Sequence, residues 1–253
     1  MKILLKIAYL GTGYCGYQVQ PNGTTVQEKL NEAAKGMFGF DCDIIGCSRT
    51  DSGVHARGFC ATVTKKGTGT LETAVPLDRI PRAMNVNLPP DIAVLSAQAV
   101  SDDFHARYSV ISKEYEYLIY NGAERDPFWE GRAWHISKHF DDAAVAAMHE
   151  AAKSFVGKHD FTALRDGDPD EKDPVRHVFD ASVTRKGDLI SFRVRADGFL
   201  YHMVRVMTGT LIEVGRGKLS PFDVSDFLQK KNRKACGATA PAGGLYLDCV
   251  FYE

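Results

Sequence analysis

The sequence lacks the patterns by which several large classes of protein are recognised. Its six cysteines form no Cys-x-x-Cys pair, and none is flanked by histidines at zinc-ligand spacing, so we expect reduced, mostly buried thiols. No apolar run approaches the roughly 18 to 20 residues that a membrane-spanning helix requires. The apolar start of the chain is interrupted by Lys6 and lacks a cleavage site. These absences predict a soluble, cytoplasmic protein that does not engage a membrane.

An excess of charge of one sign is also lacking. The 31 Lys and Arg residues nearly balance the 32 Asp and Glu residues, which gives a formal net charge of -1 at pH 7. Domains that bind nucleic acid are often strongly basic, so any site for a polyanion must here be a local patch. The 253 residues, 44% of them hydrophobic, suffice for one large domain or two intimate smaller ones.

Two short motifs are present but fail on context. Residues 11–16 match G-x-G-x-x-G after a predicted strand, yet Pro21 and an Asn-Gly turn follow where a dinucleotide site needs a helix. Residues 166–177 begin like a calcium loop but carry Glu171 at its sixth position and His177 at its twelfth. Neither motif therefore predicts a dinucleotide cofactor or a metal ion, and we interpret residues 165–174 as a solvated, disorder-prone acidic loop.

Residue periodicity predicts an alternation of strands and helices. In the first half we expect strands at 2–10, 41–47, 57–64 and 92–99, with helices at 26–38, capped by Thr24 or Thr25, and at 76–84. In the second half we expect strands at 114–121, 178–186, 189–196 and 245–252, with helices at 141–155, 199–214 and 221–231. The order strand–helix–strand–strand–helix–strand thus occurs twice, if the two helices at 199–214 and 221–231 are taken as one helical segment. It predicts two α+β halves that share a sheet, over residues 1–104 and 105–253, with the boundary inside 101–113.

One carboxylate is placed for chemistry. Asp51 lies in a short loop between two apolar segments, with Arg49 two residues before it and Arg57 after it. Neighbouring cations favour the ionised form of a carboxylate, and an ionised carboxylate on a rigid turn can act as a nucleophile or a base. The alternative is a capped turn with a solvated aspartate.

Two segments later in the chain bear on that alternative. Tyr115 and Tyr117 alternate at strand period, so they share one face, either as part of the core or as a stacking surface for a base. Arg205 is a lone cation among the apolar residues that open a predicted helix. A buried arginine needs an anion, which Asp51 would supply if this helix docks against its loop.

These segments, taken in order, resemble the TruA family of tRNA pseudouridine synthases along almost the whole chain. The resemblance is carried by residues 9–12 (YLGT), 16–18 (GYQ), 25–27 (TVQ), 46–56 (GCSRTDSGVHA), 87–92 (NLPPDI), 104–107 (FHAR), 115–117 (YEY), 155–161 (FVGKHDF), 202–205 (HMVR) and 240–247 (APAGGLYL). It implies the pseudouridine synthase fold, with two ferredoxin-like α/β halves, a mostly antiparallel sheet, helices packed on that sheet and a central basic cleft. It also implies a homodimer that acts on tRNA without a cofactor.

By the same resemblance, Asp51 is the nucleophile, Tyr115 stacks on the target uracil and Arg205 pairs with the Asp51 carboxylate. Arg49 helps to turn the nucleotide out of its stem and fills the gap. The family's usual targets are uridines 38, 39 and 40 of the anticodon stem-loop. Candidate phosphate contacts are Arg57, Arg107, Lys113, Arg165 and Arg176.

Several residues depart from the family's pattern and bear on substrate choice. The family usually has aspartate where this chain has Leu10, tryptophan in place of Tyr17 and asparagine in place of Val206. Ser48 and Ser52 also differ from the commoner loop. Alternatives are a diverged paralogue that modifies another tRNA or RNA position, a tRNA-binding or folding module with little activity, and a hydrolase that releases the base.

Overall fold

The chain folds into two compact units of mixed α and β structure. A computed structural model describes residues 1–167 and 173–252. The first unit comprises Met1–Ile111 and the residues from Tyr246 onward, and the second comprises Ser112–Leu245. These bounds differ from the halves 1–104 and 105–253 expected from the sequence, because the strand that starts at Leu245 pairs with a strand of the first unit.

The first unit is a sheet with two helices on it. Its strands and helices are β1 (Lys2–Tyr9), α1 (Val26–Phe38), β2 (Cys42–Gly46), β3 (His55–Lys65), α2 (Ile80–Asn85), β4 (Ile92–Val100) and, as the tenth strand along the chain, β10 (Leu245–Tyr252). The strand order is β4-β1-β3-β10, and β2 also pairs with β3. All these pairs are antiparallel except β10 with β3.

The sequence explains why α1 forms and where it ends. Thr25 caps the helix by accepting a hydrogen bond from the Glu28 N–H, and the Glu28 carboxylate accepts one from the Thr25 N–H. This reciprocal capping box satisfies two N–H groups that the helix leaves without partners. Gly39 ends the helix in the left-handed conformation, with φ 78°. Val26 and Leu30 are fully buried on its inner face, which places α1 against the sheet next to β2.

The second unit repeats the same layering with more helices. It contains β5 (Val110–Tyr120), β6 (Trp134–His135), α3 (Asp142–Lys153), β7 (Gly157–Asp160), β8 (Val175–Lys186), β9 (Leu189–Ala196), α4 (Met203–Gly215) and α5 (Pro221–Lys230). The strand order is β5-β9-β8-β7, all antiparallel, with β6 added in parallel to β5. Helix α3 packs on β8 and α4, and Tyr117, Phe155 and Phe192 are fully buried in the core.

The predicted α+β class and the mostly antiparallel pairing are confirmed. The helix expected at 199–214 begins later, at Met203, because His202 adopts the left-handed conformation that a helix cannot include. The helix expected at 76–84 is shorter, since Leu77–Arg79 form a 3₁₀ turn before α2. Within the residues that the structure describes, no helix is both long enough and apolar enough to cross a bilayer.

Candidate active site

The Asp51 loop joins the end of β2 to the start of β3. A turn closes it, in which the Val54 N–H donates to the Asp51 carbonyl at 3.2 Å, and Gly53 supplies the positive φ of 81°. Only glycine adopts that backbone conformation without strain. The loop thereby holds Asp51 half-buried at the start of a tight turn, while Arg49 two residues earlier is exposed.

The glycine-rich segment 11–16 supports this loop from one side. Tyr17 N–H donates to the Thr50 carbonyl at 3.1 Å, and the Ser52 hydroxyl donates to the Tyr14 carbonyl at 3.1 Å. Gly16 has a φ of 82°, and a Cβ there would lie 2.7 Å from the Thr50 carbonyl oxygen. A Cβ on Gly11 would likewise clash with the Val54 carbonyl oxygen. Gly11 and Gly16 of the motif that resembles a dinucleotide site are thus needed because two backbone segments meet here.

A buried hydroxyl pair fixes the same loop from below. The Tyr9 hydroxyl and the Thr50 hydroxyl lie 2.8 Å apart, both out of solvent. Tyr17 packs beside them against Phe59, with ring centroids 4.3 Å apart. Its buried hydroxyl has no hydrogen-bond partner among residues 1–167 and 173–252, and burial raises the pKa of that hydroxyl. The support of the Asp51 loop on this side is therefore built from packed rings, hydroxyl groups and backbone.

The arginines near the loop fall into two kinds. Arg57 is paired, because its Nη1 donates to Asp248 Oδ1 at 2.9 Å and its guanidinium lies 4.2 Å from the centre of the Tyr246 ring. Arg49 and Arg107 are exposed, and in the part of the chain that the structure describes neither has a carboxylate partner. They line one groove of about 260 Å³. Cations without partners are the ones available to an incoming polyanion.

Tyr115 lies on β5 in the second unit, in register with Val194 of β9. It is 7% exposed, and its ring meets Phe199 edge to face at a centroid distance of 5.0 Å. Tyr117, two residues on, is fully buried and donates its hydroxyl to the Pro241 carbonyl at 2.7 Å. Tyr115 is thus held in one orientation by a neighbouring ring, and of the pair it is the less enclosed.

Arg205 lies in the first turn of α4 and is half-buried. Its Nε donates to the Ala240 carbonyl at 2.7 Å, and its own carbonyl accepts from the Ala240 N–H at 3.1 Å. These two bonds tie the guanidinium plane to the segment that precedes β10. The sequence identified the residue but gave no signal for this backbone partner.

A second cluster, which we call the Asp166 hub, contacts both segments that are joined by the Arg205–Ala240 hydrogen bonds. Its carboxylate accepts hydrogen bonds from His202 Nδ1 at 2.9 Å, from Arg233 Nη2 at 2.9 Å and from the Thr239 hydroxyl. Burial would raise the pKa of Asp166, but these donors and the charge of Arg233 together lower it. His202 directly precedes α4 and Thr239 directly precedes Ala240, so the hub fixes both segments that hold Arg205.

The interpretation of 165–174 as a solvated acidic loop is therefore wrong at Asp166. Its three partners lie 36 to 73 residues away, and no local pattern reports them. Residues 168–172 of that predicted loop lie outside the described residues.

The other candidate phosphate contacts differ in exposure. Arg165 is only 9% exposed. Arg176 donates its Nη1 to the carbonyls of Asp173 and Val175 at 2.8 and 2.7 Å. Lys113 is half-buried on β5, in register with Ala196. Their contacts with phosphate stay predictions, as does that of Arg57.

The structure distributes the candidate residues over the two units. The first holds Arg49, Asp51, Arg57 and Arg107, and the second holds Lys113, Tyr115, Arg165, Arg176 and Arg205. No group of three or more His, Cys, Asp or Glu side chains suited to a metal ion occurs among the described residues.

Known proteins similar to this chain give a consistent picture. A family model described as tRNA pseudouridine synthase matches residues 6–109 and 151–253. tRNA pseudouridine synthase A of Acetivibrio thermocellus is 42% identical over 251 residues, which cover 99% of each chain. The Bacillus subtilis protein of the same name is 40% identical over 255 residues, which cover 100% of each chain. A chain of a solved Cbf5-Nop10-Gar1 complex aligns with 84% of this chain and 44% of its own length at 14% identity and a TM-score of 0.35, too low to compare folds.

Proposed function

The chain belongs to the tRNA pseudouridine synthase family, and we propose that it converts uridine to pseudouridine in tRNA with Asp51 as the nucleophile. As a member it is an RNA pseudouridine synthase, which is an isomerase. The reaction breaks the N1–C1′ bond, rotates the base and rejoins it to the ribose through C5. The RNA keeps its atomic composition, and only the linkage between base and sugar changes. The observation that carries the proposed role is the half-buried Asp51 carboxylate on a loop that backbone and hydroxyl contacts fix on two sides.

A fixed loop is what a single nucleophile requires. The carboxylate adds either to ribose C1′ or to uracil C6, and in both cases it leaves again when the new C–C bond has formed. Holding the reacting oxygen in place beforehand removes the entropy cost of aligning it in the transition state. Gly53, Gly16 and the Tyr9–Thr50 pair supply that alignment before the substrate arrives.

A uridine in a paired stem must leave its stack before Asp51 can reach it. Unstacking costs about a few kcal/mol, which contacts made in the flipped state must offset. Arg49 is exposed on the same loop, and we assign it the task of filling the gap that the nucleotide leaves. Its guanidinium has no carboxylate to release first within the described residues, which supports that assignment.

Tyr115 and Arg205 complete the proposed set. Tyr115 stacks on the uracil, and its edge-to-face contact with Phe199 supports this role because the ring orientation is fixed beforehand. Arg205 is the counter-charge of the nucleophile, and its bond to the Ala240 carbonyl orients the guanidinium. Of the proposed phosphate contacts, the exposure of Arg107 favours it over Arg165, which is largely buried.

The finer assignments follow the family resemblance. The targets are uridines 38, 39 and 40 of the anticodon stem-loop, and the protein acts in the cytoplasm as a homodimer with a basic cleft. Leu10 and Tyr17, which depart from the family's pattern, flank the segment 11–16 that supports the Asp51 loop. Leu10 is 40% exposed and Tyr17 is buried, so of these two Leu10 is the better placed to alter which uridine is accepted.

The test is tritium release from an unmodified tRNA transcript that carries uridine labelled at C5. Bond formation at C5 expels the label, so wild type releases tritium and forms pseudouridine, whereas Asp51→Ala releases none. Asp41→Asn is the matched control, because Asp41 is an exposed carboxylate whose ion pair with Lys35 lies on the surface. Full activity of Asp51→Ala would overturn the proposal. Free uracil would indicate hydrolysis, and tRNA binding by an inactive wild type would indicate a binding module.

Two further measurements test the finer assignments. Mapping of pseudouridine in the product tRNA locates the modified positions. Light scattering of the purified protein decides between a dimer and a monomer, and a monomer would remove the homodimer from the proposal.

A further inference from the structure

The turn that follows β4, residues 104–109, carries a solvent-exposed aromatic ring, that of Tyr108. Tyr108 is 77% exposed, although a tyrosine ring can bury a large apolar area by packing against the protein. The His105 ring backs it at a centroid distance of 4.4 Å, and the Arg107 guanidinium lies 5.8 Å from its centre. One face of the tyrosine is thus supported while the ring as a whole stays accessible.

The turn under this ring is fixed by its own hydrogen bonds. His105 Nδ1 accepts the backbone N–H groups of Arg107 at 3.1 Å and Tyr108 at 3.3 Å. The Ser109 N–H donates to the His105 carbonyl, and the Ser109 hydroxyl accepts from the His105 N–H. An imidazole that accepts at Nδ1 carries its proton on Nε2 when neutral, so His105 offers a donor at its other edge.

Contacts from below anchor the same turn to the first unit. The Tyr252 hydroxyl donates to the Ala106 carbonyl at 2.7 Å, and Lys2 Nζ donates to the Phe104 carbonyl at 3.0 Å. Ala106 is fully buried, and the Phe104 ring packs against Tyr252 at 5.0 Å. Tyr108 therefore does not move freely on a loop tip. It stands on a rigid base.

The surroundings of the ring are cationic. His105, Arg107 and Tyr108 line the groove of about 260 Å³ that Arg49 also lines. No carboxylate is among the described residues that line it, and the remaining ones are Tyr17, Gln18, Gln27, Ile44, Ile45, Gly46 and Ser48. Single-stranded nucleic acid is recognised by this combination, in which an aromatic face takes the base and nearby cations take the phosphates. Of the large hydrophobic side chains in this lining, Ile44 and Tyr17 are buried, so Ile45 and the Tyr108 ring are the ones that a protein partner could reach.

We propose that the Tyr108 ring, backed by His105, is a stacking platform for an unpaired base of the RNA strand that flanks the target uridine. The proposal rests on the proposed function, since it places the platform in the same groove as Arg49. Once Arg49 has filled the gap left by the flipped nucleotide, a neighbouring base stacks on Tyr108, and Arg107 neutralises its phosphate. The platform adds affinity for a strand that is already opened, and it takes no part in bond breaking.

The test is steady-state kinetics with the labelled transcript, comparing Tyr108→Leu with wild type. Leucine keeps a smaller apolar side chain but removes the flat face, so KM should rise about tenfold while kcat changes less than about twofold. Tyr108→Phe should recover most of that loss, because it keeps the ring. Phe222→Leu is the matched control, since Phe222 is an exposed aromatic of α5, 82% exposed, and should behave as wild type.

An abasic scan supplies a readout that a structural defect would not produce. Transcripts that lack one base at a time near the modified uridine should reveal a position that costs wild type about tenfold in KM. The same transcript should cost Tyr108→Leu nothing further, because the stacking pair is already broken. An unchanged KM in Tyr108→Leu, or abasic effects of equal size in both proteins, would overturn the platform.

The platform and the proposed function can fail separately. A wild type that makes no pseudouridine contradicts the proposed function. Filter binding of the same transcripts then tests the platform, because the abasic position should weaken RNA binding by wild type and not by Tyr108→Leu. A Tyr108→Leu variant that loses kcat with KM unchanged places the ring in the chemistry and overturns the platform.

Discussion

The Asp51 loop and the first turn of α4 present their functional side chains by opposite means. The loop is held by backbone bonds, by two hydroxyls and by glycines that let chain segments meet. The turn that carries Arg205 is held through the Asp166 hub, in which one carboxylate accepts hydrogen bonds from three residues. The first arrangement depends on shape and the second on charge. A support that depends on shape should fail when a side-chain atom is added at a close contact. A support that depends on charge should fail when its carboxylate is protonated or replaced.

The largest effect is expected where an added methyl group would separate the loop from its support. In Gly16→Ala the new Cβ would meet the Thr50 carbonyl at 2.7 Å in a backbone conformation strained for alanine. We expect a loss of about 1–3 kcal/mol from the strain alone and a fall in kcat of at least about tenfold. Urea unfolding and tritium release measure the two effects.

Gly13→Ala is the control within the same segment. A Cβ there would meet nothing within 4 Å, and the backbone is not in the left-handed region. Its stability should stay within about 0.5 kcal/mol of wild type. Equal behaviour of the two variants would remove close approach as the reason for glycine here.

A smaller effect should follow from neutralising the hub. Asp166→Asn removes the carboxylate that pairs with Arg233 and leaves His202 with a weaker partner, so the segments that hold Arg205 loosen. We expect kcat to fall about tenfold at neutral pH with little change in the KM for tRNA. Asp226→Asn, which breaks only an exposed pair with Lys230, should be nearly silent.

The pH dependence of stability separates the hub from the loop. The pKa of Asp166 is lowered from its usual value in the folded protein. Its ionised form therefore contributes stability that is fully present above the unfolded-state pKa of about 4 and is lost as pH falls through the lower folded pKa. The difference in unfolding free energy between wild type and Asp166→Asn should be constant from pH 7 to pH 5 and shrink below pH 4. A difference that persists unchanged at pH 3 would contradict this account.

The smallest effects should separate two tyrosines that pack on the same ring. Tyr9→Phe removes the hydroxyl that pairs with Thr50 and should cost about 1 kcal/mol of unfolding free energy. Tyr17→Phe removes a buried hydroxyl that has no partner in the described part of the chain, so it should cost nothing or be stabilising. Chemical denaturation of both variants measures the change in unfolding free energy. A larger loss of stability in Tyr17→Phe than in Tyr9→Phe would contradict the view that the Tyr9 hydroxyl is the one with a stabilising hydrogen bond.

Local patterns sufficed for the elements whose causes are local. The bounds of α1 were predicted at 26–38 as observed, because a capping box, a helical apolar spacing and a terminal glycine all lie within the segment. The start of α4 was predicted four residues early. No local pattern in residues 199–204 shows that His202 has a positive φ. In the structure His202 also forms a hydrogen bond to Asp166, which is 36 residues away.

The site divides in the same way. The Asp51 loop could be identified because its residues are adjacent in the sequence, and family resemblance added Tyr115 and Arg205. The support under the loop was missed because its glycines resembled another motif. The hub and the parallel pairing of β10 with β3 are non-local, so no window of sequence contains both partners.

That pairing has a consequence for synthesis. Tyr246 pairs with His55, about 190 residues earlier in the chain, so the strand that follows the Asp51 loop has an open edge until β10 leaves the ribosome. At about 5–20 residues per second, this wait lasts about 10–40 s after β3 has been translated. Contacts this distant in sequence also form slowly once the chain is free. The strand edge next to the Asp51 loop is thus completed late in synthesis.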